Sequence, residues 1–206
     1  MQPAPVQRQD EIFCVVDRDD HVLGYRTRAE CHADATLIHR SVSIVVETSE
    51  GMLFQRRSLR KDSSPGLWDV ACSGHVDGEE TYAEAAVREL GEELGYAGPP
   101  PEHLGTILTE LENETEMAGV FLLRSDGPFG LMLPEVIGLG IFSADDWPTP
   151  LTPSAQLVIN FALGSDPYAK SVVMPSRSVG DQLCFGVRPL CKVGRYAKSV
   201  SYANFA

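Results

Sequence analysis

The feature that most constrains the fold of this chain is a fixed arrangement of glycine, charged and apolar residues over positions 74–95. With x for any residue and U for an aliphatic one, it reads G-x5-E-x7-R-E-U-x-E-E-x-G, from Gly74 to Gly95. Apolar residues at helical spacing predict a helix over 81–94. Acidic residues just before it favour a helix N-terminus, and Gly95 stands where helices commonly end in a left-handed glycine. The pattern therefore predicts one helix with defined ends.

This helix is expected to carry two different faces. Residues three and four apart share a face, so Glu89, Glu92 and Glu93 should converge on one side. An adjacent apolar stripe is expected to anchor the helix; its members are Ala83, Ala86, Val87, Leu90 and Leu94. Clustered carboxylates repel one another unless a cation joins them, and oxygen ligands suit Mg²⁺ or Mn²⁺. The spacing thus favours a metal site over a solvated acidic face, with Arg88 placed to hold the carboxylates.

The eight fixed positions resemble the Nudix box, the metal-binding signature of enzymes that cleave diphosphates. One departure is Tyr96, which stands where the box usually closes with an aliphatic residue; its ring can fill the same packing role. The resemblance implies an α/β (α+β) Nudix fold, a mixed β-sheet sandwiched between helices. It also implies a hydrolase of phosphoric acid anhydrides with Mg²⁺ or Mn²⁺ as cofactor. Catalytic roles then fall on Arg88, Glu89 and Glu93.

Strand and helix signals surround this helix. Alternating apolar residues bounded by turn residues predict strands at 11–16, 22–25, 41–47, 52–56, 67–72, 104–111, 119–124 and 136–142. Residues 28–38 are expected to form a short helix or a loop, 143–146 a capped helical turn, and 153–163 a closing helix. The order sheet, helix, sheet, helix is consistent with a mixed sheet between helices.

A second constellation combines three of the five histidines with a Glu-Thr-Glu segment. Its members are His32, His39, His75, Glu114 and Glu116. His32 and His39 are seven residues apart, and His75 follows a glycine after the strand that bears Trp68. In these spacings the chain resembles the type I isopentenyl-diphosphate isomerases and the Nudix hydrolases similar to them. The resemblance implies a second metal site, suited to Mn²⁺ or Zn²⁺, whereas a lone histidine is more often a hydrogen-bonded structural residue.

The basic segment 56–61 resembles the part of those isomerases that grips a diphosphate. On that alignment Arg57 and Lys61 are the phosphate contacts, and both side chains form strong charge-assisted bonds to phosphate. The alternative is a basic edge strand that keeps the protein soluble.

Two departures from the isomerases favour a hydrolase. Ser73 falls where they carry the catalytic cysteine, and the neighbouring Cys72 should point to the opposite face of its strand. The carboxylates of the box are also intact. We therefore expect water to attack phosphorus, with Glu89 as the general base and Glu116 as the second candidate. An isopentenyl-diphosphate isomerase and a non-catalytic nucleotide-sensing domain are the alternatives, and the group attached to the diphosphate stays open.

Net charge and cysteine content limit which binding partners and which cellular compartment we expect. The net charge of -12 argues against a nucleic-acid duplex as a partner. Residues 1–167 hold 11 basic and 28 acidic side chains, whereas 168–206 hold 6 and 1. We expect a hydrolase domain over 1–167 and a basic extension over 168–206. One open role for this extension is to form contacts in a homodimer. Five cysteines without C-x-x-C pairs, together with no signal peptide or membrane span, favour a cytoplasmic protein that binds a small-molecule diphosphate.

Overall fold

The structure is a computed structural model and describes residues 8–111, 114–131, 134–143 and 146–164. Within these residues the chain forms nine strands and three helices. The strands are β1 (Ile12–Val16), β2 (Val22–Thr27), β3 (Ile38–Thr48), β4 (Gly51–Arg57), β5 (Trp68–Val70), β6 (Cys72–His75), β7 (Glu102–Glu110), β8 (Thr115–Arg124) and β9 (Val136–Phe142). The helices are α1 (Arg28–Ala33), α2 (Tyr82–Leu94) and α3 (Pro153–Ala162).

Most predicted elements are confirmed, and one is changed. Of the short helix or loop predicted over 28–38, the helix is present at 28–33, because Thr27 and Glu30 make a capping box at its start. The single strand predicted over 67–72 is wrong: it is two short strands, since β5 pairs with β4 and β6 pairs with β3. The predicted turn at 143–146 lies partly outside the described residues, and the extension 168–206 lies wholly outside them.

Strand β3 lies at the centre of one mixed sheet. It runs parallel to β8 and antiparallel to β1, β4 and β6. Residues 46–48 of β3 pair with β4, but residues 41–44 pair with β6. Because β3 changes partner along its length, the sheet divides, and a crevice opens between β4 and β6.

Helices cover both faces of this sheet, as expected for the sandwich. The face toward α2 presents Val42, Ile44, Val46, Leu53, Cys72, Phe121 and Leu123. The opposite face presents Val45, Phe54, Val70 and Val120 to α3. Neighbouring strand residues such as Ile44 and Val45 therefore belong to different cores, as the alternation of a strand requires.

The apolar stripe predicted on α2 is partly wrong. The helix buries Ala85, Ala86, Leu90 and Leu94. Ala83 and Val87 are exposed instead, Val87 by 49%. The helix is rotated relative to the prediction because its sheet-facing side also buries Glu89 and Glu93.

The predicted ends of α2 are confirmed. Thr81 and Glu84 form a capping box at its start, and Gly95 ends it with a φ of 60°. Tyr96 fills the packing position expected of it, since it is buried in the α2 core and its ring lies 5.6 Å from that of Phe129. The box therefore folds as one unit with defined limits.

The structure also bears on the predictions about cysteine pairing and membrane spans. Cys14, Cys31 and Cys72 are buried free thiols, while Cys184 and Cys191 lie outside the described residues. In the part of the chain that the structure describes, no helix is long and apolar enough to cross a membrane.

Candidate active site

A polar cavity of about 260 Å³ opens where the sheet divides. Its floor is formed by Ser41 and Ser43 of β3 with Ser73 and His75 of β6. The surrounding walls carry Arg57, Lys61, Arg88, Glu89, Glu92, Glu114, Glu116 and Thr152. The cavity thus gathers residues of the box, of the basic segment and of the histidine constellation, which are far apart in the sequence.

The helix cluster consists of Glu89, Glu92 and Glu93 on α2. Glu89 and Glu93 are buried, whereas 61% of the Glu92 side chain is exposed. Arg88 donates to Glu89 Oε1 at 2.7 Å and to Glu92 Oε2 at 3.2 Å. Its Nε also donates to Glu80 Oε1 at 2.9 Å. Arg88 therefore holds the carboxylates of Glu89 and Glu92, whereas Glu93 is held by other groups.

Gly74 makes room for one of these carboxylates. A Cβ atom built at this position would lie 2.0 Å from Glu89 Oε1 and 2.6 Å from Oε2. Real Cβ atoms do not approach other atoms so closely, so any side chain here would displace the Glu89 carboxylate. The glycine that opens the box therefore leaves the space that the Glu89 carboxylate occupies.

Glu93 is anchored by neutral donors of the sheet. Its Oε2 accepts from Gln55 Nε2 at 2.9 Å and from the Ser73 backbone N–H at 3.1 Å. Its Oε1 lies 3.7 Å from Lys61 Nζ. Sequence reasoning missed Gln55, although an amide within the apolar alternation of 52–56 was a usable signal.

Burial makes the helix cluster costly without a cation. Burial, with the charge of Glu93 next, raises the pKa of Glu89 to about 8. Burial also raises the pKa of Glu93, although the Lys61 ammonium opposes the change. Two buried carboxylates that resist ionisation side by side fit a divalent cation, which stabilises both charged forms.

The histidine cluster consists of His32, His39 and His75 with Glu114 and Glu116. One ring nitrogen from each histidine lies within 4.8 Å of the others. Glu116 Oε1 lies 3.6 Å from His39 Nε2 and 3.4 Å from His75 Nε2. Glu114 Oε2 lies 3.7 Å from His32 Nε2. The structure therefore brings all five residues of the second constellation together.

The imidazoles of this cluster have unused buried nitrogens. His32 Nε2, His75 Nε2 and both ring nitrogens of His39 are buried and make no hydrogen bond to the described residues. Buried polar atoms normally have a partner. Such a group of nitrogens beside carboxylates fits a divalent metal ion.

Phe13 of β1 forms the back of the histidine cluster. Its ring is fully buried and stacks on His75 at 4.0 Å and on His39 at 5.1 Å between centroids. Arg28 lies 5.7 Å over the same ring, and its Nη1 is 3.4 Å from His75 Nδ1. Sequence reasoning missed both residues, because an apolar strand residue and a helical arginine carry no local signal of this role.

The charges of the histidine cluster are divided between rings and carboxylates. Burial lowers the pKa of His32 to about 4, with the charge of Arg28 adding to it, and burial lowers that of His75 to about 3. Burial raises the pKa of Glu114 to about 7, with the charge of Glu116 next. Burial opposes ionisation of Glu116 too, but His39 and His75 hold its pKa well below the usual range. His32 and His75 are thus neutral at pH 7, the form that binds metals.

Arg57 and Lys61 line the cavity, but both already contact carboxylates. Arg57 Nη1 donates to Asp69 Oδ2 at 2.9 Å, and Arg57 Nη2 donates to the Ser63 carbonyl at 3.0 Å. Lys61 Nζ donates to Glu135 in addition to lying near Glu93. These cations are held in place, and an incoming phosphate would share them with the protein.

The positions of Ser73 and Cys72 follow the strand alternation that was expected. Ser73 lines the cavity, opposite Ser43 in the β3–β6 register. Cys72 is fully buried in the α2 core, and burial raises the pKa of its thiol well above the usual value. Cys72 therefore presents no thiol to the cavity.

Comparison with known proteins gives a consistent family. The NUDIX domain model matches residues 37–153. The uncharacterized Nudix hydrolase YfcD of Shigella flexneri is 36% identical over 126 residues, covering 61% of this chain and 69% of that protein. An isopentenyl-diphosphate Delta-isomerase of Serratia proteamaculans is 38% identical over 89 residues, 43% of this chain and 49% of that protein. The crystal structure of a MutT NUDIX hydrolase from Burkholderia pseudomallei has a TM-score of 0.52 and 26% identity, covering 58% of this chain and 94% of that one.

Proposed function

The chain belongs to the Nudix hydrolase family, and from that membership we propose that it hydrolyses a diphosphate linkage in a small molecule by attack of water on phosphorus. The observation that carries the proposal is the complete helix cluster, with Glu89 and Glu93 buried at the crevice and tied to Arg88, Gln55 and Ser73. Carboxylates with raised pKa values in a polar cavity are typical of a catalytic metal site.

Glu89, Glu92 and Glu93 are the proposed ligands of Mg²⁺ or Mn²⁺. An ion held there offsets phosphate charge and lowers the pKa of water. Glu89 takes the proton of the attacking water, and Arg88 keeps its carboxylate in position through the 2.7 Å bond. Glu116 is the second candidate for the base, since it lines the same cavity and is held in its charged form by His39 and His75.

Arg57 and Lys61 are the proposed contacts of the diphosphate oxygens. Both line the cavity, and each is held in place by a carboxylate, Arg57 by Asp69 and Lys61 by Glu135. A preorganised cation stabilises developing charge without first having to move. Phosphate binding here would share the charge of Lys61 with Glu135.

The histidine cluster is proposed as a second site, for Mn²⁺ or Zn²⁺, with His32, His39, His75, Glu114 and Glu116 as ligands. The buried nitrogens without hydrogen-bond partners among the described residues support it. We also propose a cytoplasmic location, in keeping with the three buried free thiols, and a hydrolase domain that spans 1–167.

Isomerisation of isopentenyl diphosphate is the second candidate function. The assembled histidine cluster and the 38% identity to an isomerase favour it. Against it, the cavity presents the Ser73 hydroxyl where the isomerases carry a thiol, and Cys72 faces the α2 core. A nucleotide-sensing domain without catalysis has no need for the complete helix cluster.

A phosphate-release screen tests the proposal. The chain is incubated with Mg²⁺ or Mn²⁺ and a panel of diphosphates, including isopentenyl diphosphate with its product identified. We expect a monophosphate product from at least one class of diphosphate. Conversion of isopentenyl diphosphate to its isomer, without release from any compound, would overturn hydrolysis in favour of isomerisation.

A further inference from the structure

We propose that the substrate of this cavity is a compact diphosphate whose other group is hydroxylated and non-aromatic, a sugar or polyol diphosphate in chemical class. This inference rests on the proposed function and adds the chemistry of the group attached to the diphosphate. It is carried by the floor of the cavity, by its walls and by its size.

The floor of the cavity is a row of hydroxyl groups. Ser41 and Ser43 are two residues apart on β3 and therefore point to the same face of the sheet. Ser73 lies directly opposite Ser43 in the antiparallel register, so their side chains are neighbours. Three serines side by side offer donors and acceptors in close succession.

One of these hydroxyls has no partner. Ser41 is 4% exposed, and its Oγ makes no hydrogen bond to any residue that the structure describes. Leaving a buried hydroxyl unpaired costs stability, so a ligand hydroxyl that reaches it restores a lost interaction. Ser41 lines the cavity, and an apolar side chain at this position would leave no buried hydroxyl without a partner.

A second set of hydroxyls stands on the wall formed by the start of α3. Thr152 Oγ1 donates to Asp69 Oδ1 at 3.0 Å and lies 3.2 Å from Ser154 Oγ. Ser63 and Ser64 line the cavity as well. A hydroxylated ligand would therefore meet hydroxyl groups on the floor and on the wall.

The cavity offers little to an apolar or aromatic group. Among the lining residues that the structure describes, the apolar side chains are Val42 and Leu111, and none is phenylalanine, tyrosine or tryptophan. Nucleobases are commonly held by stacking on aromatic rings, and a prenyl chain needs apolar surface. At about 260 Å³, the cavity is also smaller than the roughly 300–1,000 Å³ of pockets for drug-sized ligands.

Matched substrates test this inference. Ribose 5-diphosphate and uridine 5′-diphosphate share the ribose and the diphosphate and differ in the base, and isopentenyl diphosphate replaces the sugar by an apolar chain. With Mg²⁺, we expect kcat/KM for ribose 5-diphosphate to exceed that for either other compound by at least about tenfold. A kcat/KM for uridine 5′-diphosphate or isopentenyl diphosphate equal to or above that of the sugar would overturn the inference and leave the hydrolase intact. Cleavage of none of these diphosphates would overturn the inference alone, because the hydrolase is overturned only if the wider phosphate-release screen also finds no product.

A serine variant tests the floor separately. Ser41→Ala should lower the ratio of kcat/KM for ribose 5-diphosphate to that for methyl diphosphate, which has no hydroxyl, by about tenfold. Because Ser41 Oγ has no hydrogen bond within the described residues, the variant should keep its melting temperature. The control is Ser49→Ala in the exposed turn between β3 and β4, which should leave the ratio unchanged. An unchanged ratio in Ser41→Ala would contradict the assignment.

Discussion

Members of the helix cluster and of the histidine cluster line one cavity, but the two clusters are assembled in opposite ways. The first takes three carboxylates from residues 89–93 of a single helix. The second draws its members from α1, β3, β6 and β8 and from Glu114 just before β8. Their electrostatics differ as well: the pKa of Glu89 is raised to about 8, whereas that of Glu116 is held well below the usual range.

The difference lies in how each cluster compensates its charge. Like charges in the helix cluster oppose one another's ionisation, so a cation is needed to complete it. In the histidine cluster the carboxylate of Glu116 already lies among imidazoles. We therefore expect the helix cluster to depend strongly on pH and on Mg²⁺, and the histidine cluster to prefer softer ions such as Zn²⁺.

The largest expected effect separates buried from exposed members of the helix cluster. Glu93→Gln removes a buried ligand charge while keeping the size of the side chain, and should lower kcat by about 10³-fold or more. The matched control Glu92→Gln changes a carboxylate that is 61% exposed and should cost far less. Phosphate release measured at saturating Mg²⁺ gives both values. If Glu93→Gln retained activity within tenfold of the parent, the helix cluster would not be the catalytic centre.

A histidine variant asks whether the second cluster binds an ion of its own. His39→Asn should remove about one equivalent of bound Zn²⁺ or Mn²⁺ and lower turnover by about 10–100-fold. Metal content after dialysis, measured by mass spectrometry, is the direct readout. His103→Asn serves as the control, because that residue is exposed and belongs to neither group of side chains placed to hold a metal ion. Equal metal content in the two variants would mean that the histidine cluster is structural.

Gln55 tests how the helix cluster is held. Gln55→Met keeps the volume but removes the 2.9 Å bond to Glu93 Oε2, and should raise the dissociation constant of Mn²⁺ by about tenfold. Paramagnetic resonance of free Mn²⁺ measures it without turnover. The exposed Gln156→Met is the control. Tight Mn²⁺ binding in Gln55→Met would show that the Ser73 N–H and Lys61 are sufficient to fix the carboxylate.

The smallest expected effect is on stability. The folded state raises the pKa of Glu89 from 4.5 to about 8, so it favours the protonated form. Ionisation of Glu89 therefore lowers the stability of the metal-free protein as pH rises from about 4.5 to about 8. Mg²⁺ should raise the melting temperature more at pH 8 than at pH 5.5, by a few degrees at most. Differential scanning fluorimetry with Mg²⁺ or a chelator measures this difference. An equal rise in melting temperature at the two pH values would contradict the prediction.

Local periodicity was sufficient for the helix cluster. A helix fixes the relation between residues three and four apart, so the convergence of Glu89 and Glu93 followed from spacing. The stripe was partly misassigned because the rotation of the helix on the sheet decides whether Ala83 or Ala85 is buried. The observed rotation buries Ala85 together with the two carboxylates. Periodicity alone does not determine this rotation.

The contacts that the sequence did not predict depend on how strands distant in the sequence pair with one another. The contact of Gln55 with Glu93 depends on how β4 pairs, and the stacking of Phe13 on His75 depends on where the β1–β2 hairpin lies. The crevice itself exists because β3 changes partner, which no local pattern encodes. His32, His39 and His75 were found from their resemblance to a family rather than from their chemistry.

The stacking of Phe13 on the histidines also affects how the protein can be shortened. The family model begins at residue 37, after Phe13, Arg28 and His32 have already been placed by β1 and α1. A fragment trimmed to the matched segment would keep the whole box but lose His32, one proposed ligand, and the Phe13 ring that stacks on the other two histidines. The smallest piece that can carry both clusters is therefore longer than the segment by which the family is recognised.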